Sequence, residues 1–179
     1  MSDELKVLRI VSERLDSLGL DYMLTGSFAM AFYATPRMTR DLDIVVALTA
    51  RDVPRVVAAF SPDFYLDNEA AREAVQSARL FNLMHFNSGI KVDFIVRKDD
   101  AFRRLEFERR RRVGFADLHT WIVSCEDLIL SKLVWAKASG SELQRRDVLS
   151  LLHPDLDQEY LRHWARQLTV DVELASIGS

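Results

Sequence analysis

Arg40-Asp41-Leu42-Asp43-Ile44-Val45-Val46 reads as a β-strand that carries two acids on one face. Side chains alternate along a strand, so Asp41 and Asp43 point one way while Leu42 and Ile44 point into a core. Upstream, Tyr22-Met23-Leu24 is a short buried strand that runs directly into Gly26-Ser27, and 13 residues separate Ser27 from Asp41. Downstream, Val92-Asp93-Phe94-Ile95-Val96 is a second apolar strand holding a single carboxylate. Acids set among apolar residues are costly unless something neutralises them. If the two strands lie side by side, Asp41, Asp43 and Asp93 converge, and without a counter-charge some of them stay protonated at neutral pH. A pair of Mg²⁺ ions about 3.5–4 Å apart would supply that charge and clamp the oxygens of a phosphoryl transfer. The simpler alternative is that Asp41 caps a turn while Asp43 and Asp93 face water on a one-sided sheet.

Gly26-Ser27 favours the first reading by its place in the chain. Glycine lets the backbone approach a ligand closely. Ser27 begins a helix, where free N–H groups and the dipole favour an anion. Taken alone, the pair is more simply an N-cap serine after a tight turn. Its position between one strand and the Asp-x-Asp strand is what points to a nucleotide phosphate.

Around this motif the order is mixed α/β. Residues 3–18 have helical apolar spacing, with Gly19 as the C-terminal stop. Phe28 to Ala34 reads as an apolar helix ended by Pro36, and Arg51 to Phe60 as a polar helix. Residues 67–79 are helix or loop. Leu80–Phe86 and Ile90–Val96 are strands joined by the compact turn Asn87-Ser88-Gly89. Phe107 to Val113 is an edge strand or a charged helix end, and Trp121-Ile122-Val123 is strand-like. Ser124 is the expected N-cap of a helix that runs to about Ala138, with Asp127 at its third position. Helices follow over about 142–152 and 155–168. The expected organisation is a core over 1–124 and a helical extension over 125–179, packed as one compact unit.

Composition sets outer limits. The 179 residues are 49% hydrophobic and 28% charged, which suits one globular core. The net charge of −3 gives no general drive toward nucleic acid or an anionic membrane. Cys125 is the single cysteine, so no intrachain disulfide forms, in keeping with a reducing cytoplasm. No apolar run approaches the roughly 18 residues that span a bilayer, and the first residues lack the apolar run of a signal peptide. The expectation is a cytoplasmic protein with no membrane partner. His85, His119, His153 and His163 are scattered and share no metal-ligand spacing with Cys125.

Leu24-Thr25-Gly26-Ser27, followed after the 13-residue gap by Asp41-Leu42-Asp43-Ile44, resembles the nucleotidyltransferase motif of the polymerase-beta superfamily. Asp93 matches that family's third carboxylate on a later strand. The resemblance is closest to small bacterial nucleotidyltransferase-like proteins, including the AbiEii-type toxins of toxin–antitoxin systems. In those a later helix carries a lysine, followed by an Arg-Asp pair, and Lys132 and Arg146-Asp147 stand in those places. The resemblance covers most of residues 20–152. It implies an α/β (α+β) nucleotidyltransferase fold, a mixed sheet flanked by helices. It implies Mg²⁺ (or Mn²⁺) on Asp41, Asp43 and Asp93, with general base on the acceptor hydroxyl as a second role for Asp93. Gly26 and Ser27 would hold the triphosphate of an NTP. The implied reaction moves an NMP to a hydroxyl on tRNA, protein or a small molecule, and a cognate antitoxin becomes a candidate partner. The same fold also serves as a non-catalytic nucleotide-binding or interaction module.

Further residues carry two readings each. Lys132 is a nucleotide contact or a solvated lysine on an amphipathic helix. Arg146 and Asp147 form an ion pair that docks the tail, ahead of any catalytic role. Arg37 and Arg40 touch phosphates, or one pairs with a neighbouring acid. Arg109 to Arg112, with Arg103 and Arg104 upstream, steer a polyanion or form a solvated face. The run lacks the interleaved aromatics of a single-strand platform. His85 faces the cleft or packs, and Trp121, Trp135 and Trp164 serve as core or docking residues. Cys125 stands at a helix start, which lowers a thiol pKa, but no histidine lies at a recognisable spacing and its role is structural.

Overall fold

The computed structural model describes residues 2–35, 39–115 and 117–177. The helix stop expected at Pro36 and the phosphate contact considered for Arg37 lie outside the described residues. In chain order the strands are β1 (Tyr22–Thr25), β2 (Asp41–Val46), β3 (Phe64–Leu66), β4 (Leu80–His85), β5 (Lys91–Val96), β6 (Arg111–Phe115) and β7 (Leu118–Ile122). They form one mixed sheet in the order β3-β4-β5-β2-β1-β7-β6. β2 lies at its middle, antiparallel to β1 and parallel to β5, and its core-facing side chains Leu42, Ile44 and Val46 are fully buried.

The helices are α1 (Asp3–Ser17), α2 (Gly26–Ala29), α3 (Val53–Phe60), α4 (Asn68–Ser77), α5 (Ala101–Glu108), α6 (Cys125–Ser139), α7 (Glu142–Leu151), α8 (Gln158–Gln167) and α9 (Asp171–Ile177). One sheet face is built from Leu42, Ile44, Val46, Phe81, Leu83, Val92, Phe94 and Val96, all buried. The core of α1, α3 and α4 joins this cluster through Leu8, Val11, Leu15, Val56, Phe60 and Ala71. Phe94 meets Phe60 and Phe81 edge to face, each pair at 5.5 Å between centroids.

Local chemistry explains where element boundaries moved. The apolar helix expected over Phe28–Ala34 is instead the four-residue α2 followed by a 3₁₀ turn, Met30–Phe32. Residues 67–79 resolve to a helix because the Asp67 side chain accepts the N–H groups of Glu69 and Ala70. The ambiguous stretch before β6 contains α5, capped by Asp100 on the N–H of Arg103 at 2.9 Å. α8 begins only at Gln158, because Asp157 is its cap. β3 and α9 were not expected. β3 has three residues, too few for alternation to show.

α6 departs most from its sequence reading. Its first turns are not amphipathic: Cys125 to Leu130, Lys132 and Leu133 are buried, and only the last part, with Trp135 and residues 137–139, is exposed. A helix stretch buried on nearly every side belongs to the core. Lys132 is therefore no solvated surface lysine.

Candidate active site

The strand register brings the three acids together. β2 and β5 pair so that Asp41 faces Lys91, Asp43 faces Asp93 and Val45 faces Ile95. On the far side of β5, Asn82 of β4 faces Asp93. All of these lie on the sheet face opposite the aromatic core, because they alternate with Leu42, Ile44, Val92 and Phe94. Thr25, at the end of β1, faces Asp43 from the other side.

Gly26 follows at once and has a φ of +65°, a conformation that L side chains rarely adopt. A Cβ at Gly26 would lie 2.0 Å from Asp43 Oδ2. The glycine therefore makes room for the carboxylate itself. Ser27 is the next residue, in the four-residue α2. So short a helix sums few peptide dipoles, which weakens the dipole part of the expected anion site. Arg40 is exposed, immediately before β2.

The charge in the site is uneven. Lys91 Nζ lies 3.0 Å from Asp93 Oδ2 and 3.8 Å from Asp41 Oδ2. The Asn82 amide donates to the other oxygen of Asp93. Among the described residues, no cation or amide is seen paired with Asp43 in this way. Burial, then the carboxylates of Asp93 and Asp41, push its carboxyl up to about 6, against the opposing pull of Lys91 and Lys132. Its neighbour Asp93 raises the proton affinity of Lys91 through their hydrogen bond. Sequence reading missed both Lys91 and Asn82. Lys91 stands two residues before Asp93, and same-face spacing was the signal for it.

By residue type this donor set fits a hard divalent cation, since three carboxylates stand on adjacent strands, Asp43 facing Asp93 directly. By arrangement it is not a finished cage. Among the described residues, no group of three or more His, Cys, Asp or Glu side chains is placed to hold a metal ion. Lys91 engages two of the three acids instead.

A cavity of about 300 Å³ lies along the same sheet face, and of the three acids Asp43 lines it. Its floor is Val45 and Ile95, and its far wall is α6 through Leu128, Val134 and Trp135. Gly26, Asp43 and Lys132 close the end nearest the acids. Arg97, Lys98 and Arg103 also line it. Arg103 donates to Glu106 at 2.8 Å and to Ser131 at 2.7 Å. Burial pushes the Glu106 carboxyl up, and Arg103 and Ser131 oppose that. Trp135 is 54% exposed, so of the two roles read for it, core or docking, the core one does not hold. Leu128, Trp135 and the pocket-lining Ser131 and Lys132 are three or four residues apart on α6, so they share one face.

Lys132 borders the site but is held from behind. Its Nζ donates to Asp147 at 2.7 Å and to Gln144 at 3.0 Å, with both charged side chains nearly fully buried. Asp147 therefore pairs with Lys132, across α6 and α7, where the sequence reading paired it with Arg146.

The arginine run is mostly spoken for within the fold. Arg103 pairs with Glu106, Arg104 with Asp99, Arg109 with Asp127, Arg110 with Asp21 and Arg112 with Asp16. Arg109 also stacks over Tyr160 at 4.0 Å, and the Tyr160 hydroxyl donates to Asp127 at 2.6 Å. This run joins α5 and β6 to α6 and α8. His85 points to the core side, against Phe64 at 5.0 Å and bonded to Ser88 at 2.8 Å. Cys125 is buried, and burial pushes its thiol up to about 11, so the helix start does not activate it. Among the described residues no helix is long and apolar enough to cross a membrane.

No protein-family model and no curated protein matches the sequence. Solved structures do match. An antigenic nucleotidyltransferase-like protein from Paracoccidioides brasiliensis is similar at a TM-score of 0.59 and 20% identity, over 98% of this chain and 92% of that one. The lincosamide antibiotic adenylyltransferase LnuA, lincomycin-bound, is similar at 0.53 and 15%, over 84% and 96%. ANT(2'')-Ia in complex with adenylyl-2''-tobramycin is similar at 0.54 and 14%, over 98% and 97%. At such identities the likeness is one of architecture. Strand order, paired acids and these neighbours agree that the chain has the nucleotidyltransferase fold.

Proposed function

We propose that the protein is a Mg²⁺-dependent (or Mn²⁺-dependent) nucleotidyltransferase that moves an NMP from an NTP to a hydroxyl of a small-molecule acceptor and releases pyrophosphate. The observation that carries this reading is the register that sets Asp93 beside Asp43, which itself lines the cavity. Asp41, Asp43 and Asp93 would hold the metal. When bound, the ion neutralises charge on the transferring phosphoryl group. The chain's own part is positioning, which supplies much of the rate in such transfers. Gly26 leaves space at Asp43, and the Gly26-Ser27 turn takes the triphosphate, with Arg40 and Lys132 at its edges. Asp93, fixed by Asn82 and Lys91, completes the metal set or takes the proton of the acceptor hydroxyl.

A small acceptor is favoured over tRNA for two reasons. The cavity beside Asp43 matches the lower end of small-molecule pockets, and aliphatic and indole walls line it together with Arg97, Lys98 and Arg103. Of the arginines that would attract a polyanion, Arg109, Arg110 and Arg112 are engaged in internal ion pairs. A place as the AbiEii-type component of a toxin–antitoxin pair belongs to this proposal too, as do the cytoplasmic setting and a division at residue 124 into core and helical extension. Transfer of label from radioactive NTP to acceptors in cell extract, with pyrophosphate release, tests the activity. Undiminished labelling by Asp43→Asn would remove it. A second reading, a non-catalytic nucleotide-binding module, is favoured by one observation, the pairing of Asp41 and Asp93 with Lys91. Calorimetric binding of NTP without turnover on any acceptor selects it.

A further inference from the structure

Lys91 is placed as a cation would be. It starts β5 directly opposite Asp41 in register. From there its ammonium reaches Asp93 at 3.0 Å and Asp41 at 3.8 Å. Its side chain is about one-third exposed at 35%, so it has a route out to solvent. Asp93 is held on both oxygens, by Lys91 and by Asn82. An acid paired this way cannot also offer those lone pairs to a metal without giving up a partner. The flexible stem of lysine, unlike the planar fork of arginine, lets the ammonium leave as a point charge and meet another anion.

We propose that Lys91 is a tethered counter-ion that competes with the divalent metal for Asp41 and Asp93, and that a polyphosphate recaptures its ammonium once it is displaced. The inference rests on the metal assignment made above and adds a coupling to it. Metal alone binds weakly, because it must evict Lys91 into water. Metal and polyphosphate together bind well, because the evicted ammonium gains a phosphate partner. Lys91 is thus a positioning residue that makes metal loading conditional on nucleotide. By linkage the effect is reciprocal, so the metal raises polyphosphate affinity by the same factor.

The test is Mn²⁺ titration by calorimetry on the full chain, with and without inorganic tripolyphosphate. It compares wild type, Lys91→Met and Lys91→Arg, with circular dichroism confirming that each is folded. In the absence of tripolyphosphate, Lys91→Met should bind Mn²⁺ at least about tenfold more tightly than wild type, a change of about 1.4 kcal/mol. The gain in Mn²⁺ affinity from tripolyphosphate should be large in wild type and shrink in Lys91→Met. Lys91→Arg should keep metal affinity low, because the pairing charge is retained. Equal or weaker Mn²⁺ binding by Lys91→Met, beside a wild type that binds, overturns the inference and leaves the metal assignment standing. Absence of Mn²⁺ binding in every variant, with or without tripolyphosphate, overturns the metal assignment and the inference together.

Discussion

The Cα of Gly26 is packed directly on the carboxylate of Asp43, so closely that a Cβ there would fall 2.0 Å from Oδ2. Gly26→Ala should therefore cost twice, once in the backbone and once in the site. The left-handed backbone at φ +65° accounts for about 1–2 kcal/mol of stability. Gly89→Ala is the control, since Gly89 has the same φ and nothing within 4 Å of its would-be Cβ. Gly89→Ala should show the backbone loss alone and Gly26→Ala a larger loss of thermal stability, while only Gly26→Ala loses Mn²⁺ and NTP binding in calorimetry. Equal binding by the two would separate Gly26 from the site.

Asp43 should make stability fall as pH rises. Its carboxyl is raised from 3.8 to about 6 in the fold, so the native state holds the proton more tightly than the unfolded chain. The favourable contribution is complete below about pH 4 and is lost on going up through about pH 6. Asp43→Asn should then be more stable than wild type at pH 8, by about 1–3 kcal/mol, and no more stable at pH 4. The same variant should lose nucleotidyl transfer. Thermal melts at the two pH values check the sign, and a variant less stable at pH 8 would contradict it.

Lys132 and Asp147 form a buried ion pair at 2.7 Å, so removing either takes a charge partner from the other. Lys132→Met should cost about 3–5 kcal/mol in chemical denaturation, because Asp147 is left charged at 4% side-chain exposure. The double variant Lys132→Met/Asp147→Leu should regain most of that loss. Additive losses in the double variant would show that the two side chains are not coupled.

Arg109 tests the meaning of the basic run. Its guanidinium is 3.1 Å from Asp127, which is fully buried. Arg109→Ala should destabilise the protein by about 2–4 kcal/mol while leaving affinity for a tRNA or an RNA oligonucleotide unchanged. A large fall in RNA affinity at wild-type stability would restore the polyanion role.

How much of this was legible in the sequence depended on the range of the interaction. The acids were readable because alternation along β2 and β5 is local, and their pairing follows once two parallel strands adjoin. Lys91 was invisible as a partner of Asp41, because that contact depends on the register of strands 50 residues apart in the chain. The Lys132–Asp147 and Arg109–Asp127 pairs failed for the same reason. Charge clusters were read along the chain, but the fold pairs them across elements. The Phe28–Ala34 helix failed differently, since apolar composition alone does not distinguish an α-helix from an α turn followed by a 3₁₀ turn.

One feature of the sheet reaches further than the site. The three acids and the apolar side chains Leu42, Ile44, Val92 and Phe94 are opposite readings of a single two-residue alternation. A slip of β2 or β5 by one position would drive carboxylates into the aromatic interior and strand those apolar groups in water. The hydrophobic interior thus proofreads the placement of the acids. A chain that has folded stably has, by that fact, already set Asp43 and Asp93 side by side on the opposite face.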